Sequence, residues 1–416
     1  MQENIIIYPS RLKGEIEIIP SKSISHRMLI CAALAGKSTV RNIAFSKDIK
    51  ATIGCLKALN KNSFEIISKE SIETDSEYKN NDLFCNESGA TLRLMLPLAL
   101  NGEKIHFFGS KRLFERPLSV YTDIFERQGI KYNLEQGGLW VEGKLQPDEF
   151  YIPGNISSQF ISGLLFALPT LKSDSKIILT SPLQSKSYVD LTIDALNKFG
   201  VEIIWDDEST ILVKGNQSYR PSDVYVEGDF SHAAFYLVGG ALGDGIKCTN
   251  INPNSIQGDK AVLNILQDMG AKIIIEENSI TAYHSELKAV DIDAAQISDI
   301  IPILSVAALN AQGQTSIYNA QRLRLKECDR LHAIVKEFQA MGGDIEEFPD
   351  KIIIRKSILT GGKTSAHNDH RMAMSIAIAA ATAQKKTYLC GAQNVAKSAP
   401  KFWDEYKQIG GKFSEQ

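Results

Sequence analysis

The sequence predicts an α/β protein built from six repeated units, and three observations predict it. Six polar residues open apolar, helix-like runs at a near-constant interval. They are Ser21, Ser88, Ser157, Ser231, Asp299 and Asp369, with gaps of 67, 69, 74, 68 and 70 residues. A fixed period is the mark of a repeated supersecondary unit. A second marker recurs in the same register: an amphipathic run closing on Gly129, Gly200, Gly270 or Gly342, with weaker copies at Leu56 and Tyr406. Glycine there suits the left-handed residue that ends a helix. The third observation is the β-rich stretch that follows each closing glycine. One unit therefore reads as a buried helix, strands, a second amphipathic helix and a further strand.

The bulk composition bounds what such a protein can do. At 416 residues the chain exceeds a single hydrophobic core, so two domains are expected. A net charge of −3 excludes a global basic field for nucleic acid. No apolar run reaches membrane-spanning length, and the N-terminus lacks the pattern of a secretory signal, so a cytoplasmic location is expected. The six cysteines, at 31, 55, 85, 248, 328 and 390, show no metal-binding spacing and read as reduced thiols. Any anion site must then be local.

Taken in order, the helix openings concentrate cations where a helix already presents free N–H groups and a positive dipole end. In PSKSISHR, Pro20 ends a strand, Ser21 or Ser23 caps the next helix, and Lys22 and Arg27 follow within two turns. In ESGATLR, Gly89 lets a ligand approach the backbone and Arg93 sits one turn on. Pro117 forces Arg116 out of helical geometry, which suits a fixed guanidinium. GNISSQF sets Ser157, Ser158 and Gln159 at a helix start, and SKSYVD adds Ser185 and Tyr188. Asp299 opens an apolar helix, where partial desolvation is expected to raise its basicity. In RLRLKECDR an extended chain would place Arg322, Arg324 and Lys326 on one face. A helix starting near Lys326 would pair it with Arg330, which needs an anion between them. NDHRMAM opens an Ala- and Met-rich helix on Asp369, His370 and Arg371. Lys397 precedes a Pro-marked turn. Cations, hydroxyls and a few carboxylates together suit transfer chemistry between two anionic small molecules. The carboxylates Asp299 and Glu327 argue against a pure anion-binding scaffold.

These segments (PSKSISHR, SGATLR, ERP, SSQF, LKECDR, NDHRMAM and AKSAP) resemble, in order and spacing over nearly the whole chain, the enolpyruvyl transferase family. The match is to the branch that acts on shikimate 3-phosphate. The branch using UDP-N-acetylglucosamine employs a loop cysteine and lacks LKECDR and NDHRMAM. The resemblance implies a two-domain inside-out α/β barrel of six βαβαββ-type units, three per domain, with the active site in the interdomain cleft. Residues 1–20 with 228–416 would form the domain of the catalytic carboxylates and the phosphoenolpyruvate side. Residues 21–227 would form the shikimate 3-phosphate side. It also implies transfer of the enolpyruvyl group of phosphoenolpyruvate to the 5-hydroxyl of shikimate 3-phosphate by addition and elimination, without metal or cofactor, in a monomer. By the same resemblance Lys22, Ser23, Arg27, Ser157, Ser158, Gln159, Ser185, Tyr188, Asp299 and Lys326 would hold shikimate 3-phosphate. Lys22, Gly89, Arg116, Gln159, Arg330, Arg371 and Lys397 would hold phosphoenolpyruvate. Asp299, Glu327 and Lys22 would carry the proton transfers. Glu87 and Ala90 stand where many members have Asn and Thr.

Overall fold

The computed structural model describes residues 4–59, 63–69 and 81–415. Asn60, which would close the weak copy beginning at Leu56, lies outside them. In chain order the helices are α1 (Lys22–Ala35), α2 (Lys47–Ala58), α3 (Gly89–Ala99), α4 (Lys111–Glu115), α5 (Ser119–Gln128), α6 (Ser158–Ala167) and α7 (Lys186–Lys198). There follow α8 (Phe230–Leu242), α9 (Ala261–Asp268), α10 (Ile301–Asn310), α11 (Arg330–Ala340), α12 (His370–Thr382) and α13 (Phe402–Gln408). The chain forms two compact units, a discontinuous one of Met1–Ile19 with Glu227–Gln416 and an inserted one of Pro20–Val226. Each has its own hydrophobic core.

Five units of the repeat share one path: strand, buried helix, parallel strand, second helix, antiparallel hairpin. In one of them Glu149–Pro153 pairs in parallel with Ser175–Ser181, which pairs antiparallel with Thr210–Val213, and that strand with Ile204–Trp205. Parallel neighbours need a long crossover, which α6 supplies. The hairpin thus follows the second helix and a single strand follows the first, the reverse of the order read from sequence. In the discontinuous unit the last sheet is completed by the N-terminal strand Asn4–Tyr8, which lies between Thr387–Cys390 and Lys412–Glu415. The remaining repeat differs. Its described strands, Asp223–Tyr225, Thr39–Arg41 and Glu65–Ile67, are all parallel, so the βαβαββ pattern is not complete there among the described residues.

The fold is inside-out because the first helix of each repeat is apolar on every side. In α12 all residues from His370 to Ala381 are buried, and α10 is buried from Ile301 to Leu309. Such a helix must lie in a core. The strands alternate instead: Phe150 and Ile152 are 0% exposed while Tyr151 between them is 54% exposed, so each sheet keeps one wet face. Gly129, Gly200, Gly270 and Gly342 all take positive φ, as expected of helix terminators. No helix among the described residues is long and apolar enough to cross a membrane.

Three of the six expected openings cap their helices as predicted: Ser88, Ser157 and Asp369 accept from Thr91, Gln159 and Arg371 N–H. Ser21 holds the cap position of α1, but its side chain makes no cap bond. α8 is capped by Asp229, which accepts from His232 N–H, leaving Ser231 inside the helix with its hydroxyl on Asp259. α10 begins after Ile300, and Asp299 turns away to cations.

Candidate active site

In the inserted unit the helix starts carry the cations. Lys22 opens α1 and its Nζ lies 2.9 Å from Asp48 Oδ2 in the first turn of α2. One turn on, Arg27 is only 3% exposed and has no carboxylate among its hydrogen-bond partners. Its guanidinium donates to Thr192 Oγ1 at 2.8 Å, Ser23 O at 2.7 Å, Tyr188 O at 2.8 Å and Ser162 Oγ at 3.4 Å. Burial lowers its pKa to about 10, against smaller raising effects of Tyr188 and Cys31. Four of its five N–H groups are thereby engaged, which leaves one for a ligand. Its charge is still uncompensated, and a buried cation favours a nearby anion. Ser185, before α7, adopts φ 57° and is 2% exposed, a left-handed geometry that costs a non-glycine residue energy.

Gly89 begins α3 beside two guanidiniums. A Cβ at that position would lie 2.5 Å from Arg116 Nη1 and 3.1 Å from Arg93 Nη1. Arg116 follows α4 in extended conformation, as its proline neighbour requires. Its buried Nε has no hydrogen-bond partner among the described residues. Arg93 donates to Gln159 Oε1 at 3.0 Å and to Pro117 O at 3.2 Å, and its guanidinium lies 5.2 Å from the centre of the Phe160 ring. Ser157 and buried Ser158 stand at the start of α6 beside Gln159. Two guanidiniums at a helix N-terminus with free N–H groups make an anion receptor.

In the discontinuous unit the charges form a closed knot. Asp299 receives Lys326 Nζ and Arg330 Nη1, each at 3.1 Å, on one oxygen, and Arg371 Nη2 at 3.1 Å on the other. Arg330, 0% exposed, also binds Glu327 at 2.8 Å and Asp369 at 2.8 Å. Among the described residues these ion pairs link three cations to three carboxylates. Burial alone would raise the Asp299 pKa, but Arg371, Lys326 and Arg330 outweigh it and hold the carboxyl well below the usual range. The expected gain in basicity from desolvation is thus outweighed by these three cations. Lys326 is pushed down to about 8, chiefly by burial and further by Arg322 and Arg330, against the opposing pull of Asp299 and Glu327. Lys397 ends a 3₁₀ helix, Ala392–Lys397, and is 8% exposed.

The extended reading of RLRLKECDR is also corrected. Gln321–Leu325 is a 3₁₀ helix, so its cations diverge. Arg324 goes to Asp329 and Glu347 and to the carbonyls of Phe348 and Pro349, a structural role. α11 begins at Arg330 with Asp329 as cap, so Lys326 and Arg330 are not a helical pair and meet instead on Asp299. Sequence reasoning missed Asp48, Ser162 and Thr192. The signal available for Asp48 was a carboxylate in the first turn of a repeat's second helix. Nothing local points to Thr192, which reaches Arg27 only through packing of α7 on α1.

The solved EPSP synthase of Acinetobacter baumannii aligns with a TM-score of 0.80 at 24% identity over 100% of both chains. The enolpyruvyl transferase NikO of Streptomyces tendae aligns at 0.77 and 17%, over 100% of this chain and 99% of that one. Both likenesses show the fold. The profile of the EPSP synthase (3-phosphoshikimate 1-carboxyvinyltransferase) family matches residues 6–406. The 3-phosphoshikimate 1-carboxyvinyltransferase of Clostridium perfringens strain 13 is 48% identical over 425 residues, 100% of each chain. That of Clostridioides difficile strain 630 is 47% identical over 428 residues, 98% of each. The chain belongs to the EPSP synthase family.

Proposed function

We infer that the enzyme transfers the enolpyruvyl group of phosphoenolpyruvate to the 5-hydroxyl of shikimate 3-phosphate, releasing phosphate, in the biosynthesis of aromatic amino acids. The observation that carries the reading is the pair of guanidiniums, Arg116 and Arg93, at Gly89, where the buried Arg116 Nε has no hydrogen-bond partner among the described residues. Phosphoenolpyruvate brings a phosphate and a carboxylate, and several cations are needed to hold it. In this reading Gly89, Arg116, Arg330, Arg371 and Lys397 receive it. Ser23, Arg27, Ser157, Ser158, Ser185, Tyr188 and Lys326 take shikimate 3-phosphate, with Lys22 and Gln159 between the two substrates. The inserted unit is then the shikimate 3-phosphate side, and the discontinuous unit supplies the catalytic carboxylates.

The chemistry follows from the charges. Asp299 is a poor base while three cations hold it. Arrival of substrate anions draws Arg371 and Lys326 away, and the carboxylate recovers the affinity to take the proton of the attacking 5-hydroxyl. Glu327, with Lys22, delivers a proton to the enolpyruvyl methylene carbon as the 5-oxygen bonds to its neighbour. Glu327 then takes a proton back from the methyl group so formed as the bond to phosphate breaks and the double bond returns, and the same cations stabilise the departing phosphate. The test is phosphate release: both substrates together should produce it, and either alone should not. UDP-N-acetylglucosamine as acceptor should give none; release with it instead would overturn the assignment. We also read the enzyme as a cytoplasmic monomer, which light scattering and cell fractionation check.

A further inference from the structure

Four buried side chains of the inserted unit form a hydrogen-bond chain that the reaction as described does not use. His26 Nδ1 lies 2.7 Å from Thr52 Oγ1, which lies 2.8 Å from Thr91 Oγ1, which donates to Ser88 Oγ at 2.7 Å. His26 is 1% exposed, and Thr52, Thr91 and Ser88 are 0% exposed. The chain crosses three helices, since His26 is on α1, Thr52 on α2 and Thr91 on α3. A hydroxyl has one proton and two lone pairs. Ser88 Oγ accepts both from Thr91 N–H at 3.1 Å and from Thr91 Oγ1. The other acceptor within reach of Thr91 is Asp48 O at 3.3 Å, the carbonyl one helical turn before Thr52, and donation to it likewise directs the Thr91 proton away from Thr52 Oγ1. The Thr91 proton is therefore committed forward. Thr52 must donate to Thr91, and its own lone pair is left to accept from His26 Nδ1–H.

The far side of the imidazole agrees. His26 Nε2 is buried without a hydrogen-bond partner among the described residues. With the proton on Nδ1, the unpaired group is a lone pair; with the opposite tautomer it would be an orphaned N–H, the costlier defect. The ring stays neutral because burial lowers its pKa to about 3; Asp48 opposes this, and Lys22 and Arg27 add to it.

We propose that His26, Thr52 and Thr91 are positioning residues for phosphoenolpyruvate: a one-directional chain, headed by the Nδ1–H form of His26, sets the Ser88–Gly89 turn against Arg116 and Arg93. Losing it frees the Ser88–Gly89 turn that faces the anion. This inference rests on the proposed reaction for its kinetic consequence, whereas the tautomer can be read without substrate.

Two measurements test it. Nitrogen-15 spectra of the substrate-free enzyme, with the His26 signal identified by its loss in His26→Asn, should show a neutral ring protonated at Nδ1 and unchanged down to about pH 5. An Nε2–H ring would overturn the proposal. In kinetics, Thr91→Val should raise the KM for phosphoenolpyruvate about tenfold, with kcat and the KM for shikimate 3-phosphate changed less than about twofold. Thr91→Ser, which restores the hydroxyl but not the methyl, should recover most of the loss. Equal impairment in both variants would mean packing alone, and an unchanged KM in Thr91→Val would mean no positioning role. If the wild type fails to turn over the two substrates, the proposed reaction is wrong, and the ring tautomer still decides the chain.

Discussion

Asp299 is held by Lys326, Arg330 and Arg371, and that arrangement sets its behaviour with pH. Its folded pKa is depressed, so its ion pairs stabilise the protein above the ordinary carboxyl value of about 4 and are lost only as pH falls through the lower folded value. Mild acid should leave Asp299 charged. Asp299→Ala should abolish phosphate release while shikimate 3-phosphate still binds, measured by calorimetry. It should also destabilise the substrate-free protein by about 3 kcal/mol, because three cations lose their shared partner. Lys326 titrates near pH 8, so it loses its charge above that value. kcat/KM for shikimate 3-phosphate should therefore fall above about pH 8, and Lys326→Arg should remove that limb. At Gly89, a Cβ would displace the flexible Arg116 side chain and leave the backbone in place. Gly89→Ala should raise the KM for phosphoenolpyruvate about tenfold, with an unchanged circular dichroism spectrum. Lys22, Asp299 and Arg371 stand out in the sequence because charges at apolar helix starts are anomalous, whereas Arg116 is marked only by Pro117 and by the family resemblance. Their pairing was not legible there, since Asp299 and Arg371 are 72 positions apart.

Helices position these groups by close approach. Gly163 of α6 lies against α3, and a Cβ there would sit 2.3 Å from both Arg93 O and Tyr121 Oη. Tyr121 donates to that same carbonyl at 2.6 Å, so neither atom can readily yield. Gly163→Ala should cost about 2 kcal/mol in denaturant unfolding and raise the KM for phosphoenolpyruvate through Arg93. In the discontinuous unit Glu405 of α13 accepts from Tyr236 of α8 at 2.5 Å and meets His232 of the same helix at 2.9 Å. Burial opposes its ionisation, but His232, Tyr236 and Lys401 outweigh this and lower its pKa. The clamp therefore contributes stability above the ordinary carboxyl range, lost as pH falls through the folded value. Glu405→Ala should destabilise by about 3 kcal/mol, seen in the same unfolding experiment.

Across the whole molecule, the repeat places six apolar helices at the start of six units, yet three sheets are completed by distant strands, one of them by Gly14–Glu17 beside Ile246–Thr249. Asn4–Tyr8 joins strands near residues 390 and 412, and Asp223–Tyr225 joins Thr39–Arg41. Each unit encloses a separate core. Calorimetry without substrate should accordingly resolve two unfolding transitions, and shikimate 3-phosphate should raise the one that belongs to residues 20–226 more than the other.

The sequence by itself determined the repeat, the inward apolar helices and the chemical character of each helix start. Period, apolarity and capping chemistry are local properties, readable within a turn or two. Only the tertiary structure decided which charge meets which: that Asp299 meets Lys326, Arg330 and Arg371, that Arg324 is structural, and that Asp229 caps α8. Electrostatic energy depends on separation in space and on burial, and neither is a property of neighbours along the chain.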